Sequence, residues 1–276
     1  MRAAASLSVN QVEKRYLSRR QGEVLALKNC SLTIPANKLT VMVGPSGCGK
    51  TTLLNIVAGF DTLTSGEVLL GDSLIAAPNV TLAPGPDRMV VFQHGGLFPW
   101  MTVLDNVCYG PVIQGQMTRG NAEAEARRML SLVGLLDIEG RYPGEMSSGM
   151  RRRVEIIRAL IGRPKILLMD EPFRALDALT KSVVQDFLLR LYDTLPQTIF
   201  FITHDLIEAL FLGDTVAVMT TRPGRVKKII NVNLPRPRFT RILDSAAFLK
   251  LKAEVTDAVH EEAVKAFEMG EKEAAK

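Results

Sequence analysis

The octapeptide Gly44-Pro45-Ser46-Gly47-Cys48-Gly49-Lys50-Thr51 constrains the fold of this chain more than any other segment. It lies between a short apolar run over 39–43, which reads as a strand, and a helically spaced pattern over 50–58. Strand, glycine loop and helix in that order is the context in which the spacing G-x-x-x-x-G-K-[ST] holds phosphate. The glycines let backbone N–H groups turn inward on an anion, and the helix N-terminus favours negative charge. Lys50 is placed to reach β and γ oxygens, and the Thr51 hydroxyl to ligate Mg²⁺. ATP and Mg²⁺ are the expected ligands, with Gly44, Pro45, Ser46, Gly47, Cys48, Gly49, Lys50, Thr51 and Thr52 against the nucleotide. Cys48 has two readings, a small loop residue or a thiol activated at a helix N-terminus.

A second element, Ile166-Leu167-Leu168-Met169-Asp170-Glu171-Pro172, ends an apolar strand in two adjacent carboxylates. A strand end is a good place to hold them beside phosphates. Asp170 is expected to reach Mg²⁺ directly or through water, and Glu171 to polarise the attacking water. Taken alone, Asp-Glu-Pro is also a strand terminator and helix start.

Bulk properties narrow the class. With 276 residues, 47% hydrophobic and 23% charged, the chain can bury a sizeable core and is not disordered. No stretch approaches eighteen consecutive apolar residues, so no bilayer span is expected. The first nine residues lack the long apolar stretch of a secretory signal, which predicts a cytoplasmic protein. Cys30, Cys48 and Cys108 are odd in number and share no short paired spacing, so reduced thiols are expected rather than disulfides or zinc. The net charge of +5 is spread out except at Arg151, Arg152 and Arg153, which argues against nucleic acid and for a solvated face or an anionic membrane surface.

Along the chain, alternating segments at 7–12 and 24–34, separated by a polar stretch at 17–23, predict a hairpin-like antiparallel start. A strand pair follows around 67–70 and 89–92. Helical spacing from about 97 to 147, notably 103–107 and 122–133, predicts an inserted helical subdomain. Beyond it the pattern alternates: helix to 161, strand 166–169, helix 177–195, strand 198–203, helix 206–212, then strands at 216–219 and 225–232. This predicts an α/β fold, a P-loop NTPase core with a mostly parallel sheet, an antiparallel β subdomain near the N-terminus and the α-helical insert. Residues 1–238 form the expected ATP-binding domain. A Pro-rich turn at 234–238 precedes a C-terminal helical extension, 239–276, that reads as one or two solvated amphipathic helices.

Between the two phosphate-site elements lies Met146-Ser147-Ser148-Gly149-Met150-Arg151-Arg152-Arg153-Val154, and after the second come Ala175-Leu176-Asp177 and Thr203-His204-Asp205. This ordered set resembles the ATP-binding subunits of ABC transporters over about residues 6–235. The resemblance implies a dimer of such subunits, most simply a homodimer. Each ATP would be completed by Ser147 and the Gly149 N–H of the opposite copy, at a helix N-terminus. The segment departs from the family's Leu-Ser-Gly-Gly-Gln at Met146, Ser148 and Met150, and Arg152 replaces a usual Gln, which reads as part of a solvated face. Gln93 matches the glutamine that senses Mg²⁺ and water, and His204 the histidine that meets the γ-phosphate and orients Glu171. Asp177 matches an aspartate that contacts the opposite subunit, beside an Arg174 where a small residue is usual. Tyr16 matches the aromatic that stacks on adenine, and a packing role is its alternative.

Leu97-Phe98-Pro99-Trp100-Met101-Thr102-Val103, Glu171-Pro172-Phe173-Arg174-Ala175-Leu176-Asp177 and Thr221-Arg222-Pro223-Gly224-Arg225-Val226 look most like the nitrate, sulfonate, taurine and bicarbonate import branch. This implies an ATPase on the cytoplasmic face of the inner membrane, working with membrane permease subunits and a separate solute-binding protein, with no nucleic acid. Phe98 and Trp100 are candidate permease contacts, or Trp100 fills the helical subdomain's core. A non-transporter ABC ATPase and a weakly active regulatory or exporter subunit are the alternatives.

Overall fold

In the computed structural model, residues 4–18 and 22–274 are described. The alternating N-terminal segments pair antiparallel as β1 (Leu7–Ser18) and β2 (Gly22–Ile34), from Leu7 opposite Ile34 to Ser18 opposite Gly22. Their apolar residues Leu7, Val9, Val12, Leu27, Cys30, Leu32 and Ile34 are buried. The heart of the polar stretch joining them, 19–21, the start of the N-terminal segment, 1–3, and residues 275–276 of the C-terminal extension lie outside the described residues. The chain continues through β3 (Leu39–Val43), α1 (Lys50–Ala58), β4 (Ser65–Leu70), β5 (Ser73–Ala77), β6 (Val80–Thr81) and β7 (Arg88–Val91). The segments expected to pair at 67–70 and 89–92 are both strands, but β4 pairs with β1 and β5 while β7 pairs with β8 (Ile166–Asp170). The cause is a two-residue turn, Gly71-Asp72, with Gly71 at φ +59, which sends the chain straight back into β5.

Two sheets result, an antiparallel one ordered β2-β1-β4-β5-β6 and a six-stranded one containing β7, β8, β3 and three later strands, β9 (Ile199–Ile202), β10 (Thr215–Met219) and β11 (Val226–Asn231). The second is ordered β11-β10-β3-β9-β8-β7 and is parallel except for the β10/β11 pair. Strands β3 and β9 are buried along their whole length, as expected of parallel strands covered on both faces. The cover comes from α1 on one side and, on the other, from α4 (Ser148–Leu160), α5 (Ala178–Thr194) and α6 (Leu206–Leu212).

The helical insert is built on α2 (Val103–Ile113) and α3 (Arg119–Leu132). Each starts where a threonine caps it: Thr102 accepts from the Asp105 N–H at 3.1 Å and Thr118 from the Asn121 N–H at 3.3 Å. Fully buried Asn106 accepts from the Phe98 N–H and donates to the carbonyls of Phe98, Met101 and Thr102, fixing the aromatic loop ahead of α2. Among the described residues, no helix is long and apolar enough to cross a membrane.

The C-terminal extension is one helix, α7 (Ala246–Ala274), preceded by a 3-10 turn at Thr240–Asp244. It is docked rather than solvated on its inner face, where Phe248, Val255 and Ala258 are buried. Glu262, 2% exposed, accepts from the Thr221 N–H at 3.0 Å and pairs with Lys227 at 3.0 Å and Lys265 at 2.9 Å. That anchors the β10–β11 connection, which in turn presses on the glycine loop: a Cβ added at Gly224 would lie 2.1 Å from the Cys48 carbonyl oxygen. Burial pushes the Glu262 carboxyl up, but Lys265, the Thr221 N–H and Lys227 hold it down at about 2. Glu262→Gln is expected to cost about 1–3 kcal/mol near neutral pH, read as a shifted urea midpoint. Because the folded-state value is depressed, the stabilisation is present above the ordinary value of 4.5, and the gap between wild type and variant narrows as pH falls from there toward about 2.

Candidate nucleotide site

The four neighbouring parallel strands β3, β9, β8 and β7 end at one edge of the sheet, because Met42 lies opposite Ile202, Ile202 opposite Asp170, and Met169 opposite Val91. Four chemistry-bearing segments leave that edge together: the glycine loop after β3, Thr203 and His204 after β9, Asp170 and Glu171 at the end of β8, and Gln93 after β7. Ligands of open α/β sheets bind at this carboxyl edge. Hydrogen bonding across β3, β9 and β8 thus gathers residues up to 160 positions apart (44 to 204), and the backbone register rather than any one side-chain contact sets their spacing.

Within the loop, Gly49 sits at φ +102, and a Cβ there would lie 2.8 Å from Leu27 Cδ2. Only glycine meets both demands. Lys50 is 7% exposed, and its ammonium donates to the carbonyls of Gly44 and Pro45, each at 2.8 Å, so the charge is held over the loop it must serve. Cys48 is 1% exposed; burial pushes its thiol up, and nearby Lys50 only opposes this. Burial favours the small-residue reading of Cys48, because a shielded thiol is poorly placed to react.

Thr51 Oγ1 donates to Asp170 Oδ1 at 3.3 Å. Burial raises the Asp170 carboxyl, the Thr51 hydrogen bond lowers it and neighbouring Glu171 raises it again. A hydroxyl and a half-buried carboxylate side by side are hard oxygen donors that suit Mg²⁺, which keeps several waters and takes few protein ligands. Glu171 sits at φ +42, and its N–H donates to the Ile202 carbonyl at 2.9 Å, which turns the chain out of the sheet. Its Oε2 lies 3.2 Å from His204 Nδ1 and 3.2 Å from Arg174 Nη1. Sequence reasoning singled out the first partner; nothing in residue spacing pointed to the second.

Tyr16 is 39% exposed and donates to Asp61 Oδ2 at 2.6 Å, with the Thr52 side chain near its hydroxyl. The Lys14 ammonium lies 4.8 Å from its ring centroid and binds Asp61 at 2.6 Å. The ring therefore stands beside the start of α1, next to the glycine loop, in a hydrogen-bonded frame rather than in the core.

Ser147 caps α4, accepting from the Met150 N–H at 3.3 Å, and is exposed. Gly149 is buried, and a Cβ there would meet Thr180 Cγ2 at 2.5 Å, so α4 and α5 need a glycine at their crossing whatever else its N–H does. Asp177 caps α5 through the Thr180 N–H at 3.0 Å, and the Thr180 side chain, then that N–H, hold its carboxylate below the usual range. Arg152 does not lie on a solvated face. It is 5% exposed and donates to the carbonyls of Phe92 and Gln93, a consequence of α4 packing against the loop after β7. Trp100 does not fill a core: it is 70% exposed and stacks on Phe98 with ring centroids 5.5 Å apart. Nearby, a cavity of about 540 Å³ opens between sheet and helical insert, lined by Phe60, Met89, Phe92, Glu155 and Arg158 among others.

A mostly parallel sheet with a glycine loop after one strand and paired carboxylates after another defines a P-loop nucleotide-binding protein, and the added antiparallel sheet and helical insert narrow the class. The model of the ABC transporter family matches residues 27–174, and the chain belongs to that family as an ABC ATPase. It is 42% identical over 260 residues to the taurine import ATP-binding protein of Rhizobium johnstonii, covering 92% of this chain and 96% of that one. It is 39% identical over 262 residues to the bicarbonate transport ATP-binding protein of a Synechocystis strain, covering 94% and 90%. Among solved structures it resembles a dimeric ATP-binding cassette in a post-hydrolysis state bound to ADP and Pi, with 27% identity, a TM-score of 0.67, and coverage of 83% of this chain and all of that one.

The contact at Gly149 gives a test independent of nucleotide. Gly149→Ala is expected to lose about 1–3 kcal/mol of stability to the Thr180 methyl clash, and adding Thr180→Ser is expected to restore most of it in chemical denaturation.

Proposed function

We propose that this chain is the ATP-hydrolysing subunit of an importer for a small anion or sulfonate, acting as a homodimer beneath membrane permease subunits at the cytoplasmic face of the inner membrane. The observation that carries the hydrolytic part is the Glu171–His204 contact at the sheet edge that also holds Thr51 and Asp170. The taurine and bicarbonate relatives support the solute class, and the dimeric cassette supports pairing of two copies.

In this reading Lys50 exchanges its two carbonyl partners for β- and γ-phosphate oxygens, the loop N–H groups take the rest, and Tyr16 stacks on adenine. Thr51 and Asp170, with Gln93 nearby, hold Mg²⁺, which when bound neutralises developing phosphate charge. Glu171 accepts the proton of the attacking water, and His204 orients that carboxylate. Ser147 and the Gly149 N–H of α4 close on the γ-phosphate held by the opposite copy, and Asp177 lies at the same junction. The cavity between sheet and helical insert, with half-buried Phe98 and exposed Trp100 in the loop ahead of α2, offers a permease helix a place to dock. A separate solute-binding protein completes the system.

The Arg174–Glu171 pair, 3.2 Å apart, favours a second reading, a slow regulatory subunit, because the arginine occupies an oxygen of the carboxylate that the attacking water would need. Steady-state hydrolysis with and without the co-purified permease separates the two. Glu171→Gln is expected to keep nucleotide binding, lose at least about 100-fold in hydrolysis, and run as a dimer on size exclusion with saturating MgATP. A variant that stays monomeric there counts against the role. Lys50→Ala is expected to abolish ATP binding in calorimetry with the fold retained by circular dichroism.

A further inference from the structure

We propose that Arg152 and Glu155 are positioning residues that clamp the Gln93 loop to α4, so that Gln93 and the Ser147 end of the helix move as one body. This rests on the reading above, in which Gln93 serves the nucleotide.

Arg152, Glu155 and Arg158 recur every three residues and so share one face of α4. Opposite them the chain leaves β7 and runs through 92–98 without regular structure, leaving its backbone groups in need of partners. The helix face supplies them. Arg152 donates through Nη1 to the Phe92 carbonyl at 2.7 Å and through Nη2 to the Gln93 carbonyl at 2.8 Å. Glu155 Oε2 pairs with the same Nη1 at 2.7 Å, while its Oε1 accepts from the Gly96 N–H at 2.9 Å. Arg158 donates to the Gly96 carbonyl and lies 4.4 Å from the Phe98 ring centroid.

Arg152 and Glu155 are 5% and 9% exposed, and a buried ion pair is a poor way to add stability compared with apolar packing. Its planar fork is, however, a good way to fix two successive carbonyls in space. The geometry thus sets where the backbone of Gln93 sits relative to the helix whose first turn carries Ser147 and Gly149. Glu155 and Arg158 also line the 540 Å³ cavity, which puts the clamp between that cavity and the glutamine.

The test uses the full chain and a mutant cycle. Arg152→Met with Glu155→Leu removes the clamp without leaving a buried charge, and is expected to keep the melting temperature within a few degrees. Its kcat is expected to fall about tenfold or more, with KM for ATP within about twofold, as for a misplaced catalytic group. Gln93→Ala is expected to be similarly slow, and the triple variant no slower than Gln93→Ala alone within about twofold, because the clamp acts through that residue. Arg152→Lys, which keeps the charge and loses the fork, is expected to be slowed severalfold. Losses that multiply in the triple variant, or a wild-type kcat in either clamp variant, would overturn the clamp and leave the site reading standing. A wild-type rate in Gln93→Ala removes Gln93 from the site, and the proposal with it.

Discussion

The hydrogen-bonded register of four parallel strands governs everything else in this molecule. With β3, β9, β8 and β7 aligned so that their last residues lie side by side, the segments that follow must emerge at one edge. The site therefore needs no long-range side-chain contact to assemble, only strands that are apolar enough to be buried on both faces. The fully buried runs of β3 and β9 meet that requirement. A one-residue slip in any of these pairs would move Asp170 or His204 by about 3.3 Å along the sheet and break the constellation.

Much of this was legible before any coordinates. Strand β3, helix α1 and helix α6 fall on the segments read from periodicity, because their apolar residues follow one period without interruption. The fold class followed from the same alternation. What escaped was local chemistry at short range. The Gly71-Asp72 turn and the Pro78-Asn79 turn that make β5 and β6 were passed over, although a glycine at φ +59 and an asparagine at φ +65 are the residues such turns use. Periodicity marks the end of α4 better than its start, because the three consecutive arginines 151–153 hide the helical spacing just after the Ser147 cap.

The candidate site divides in the same way. Residues fixed by motif, from Gly44 to Thr51 together with Asp170, Glu171 and His204, were visible because each motif encodes one turn or strand end. Arg174 on Glu171 and Arg152 on the Gln93 carbonyl were not, since the first depends on the shape of the turn after β8 and the second on how α4 packs against the loop after β7. A run of basic residues reads as solvent-facing until a neighbouring loop supplies carbonyls for it.

The posture of Lys50 has a consequence for selectivity. Its ammonium already has two good acceptors, the Gly44 and Pro45 carbonyls at 2.8 Å, and it is almost shielded from water. An incoming anion must therefore outbid the loop's own backbone for the same protons. A single weakly charged oxyanion offers little in exchange, whereas contiguous phosphates present dense charge to the lysine and to the loop amides at once. In the proposed role the loop would thus compete with its own ligand, a threshold of charge density that a polyphosphate chain would clear.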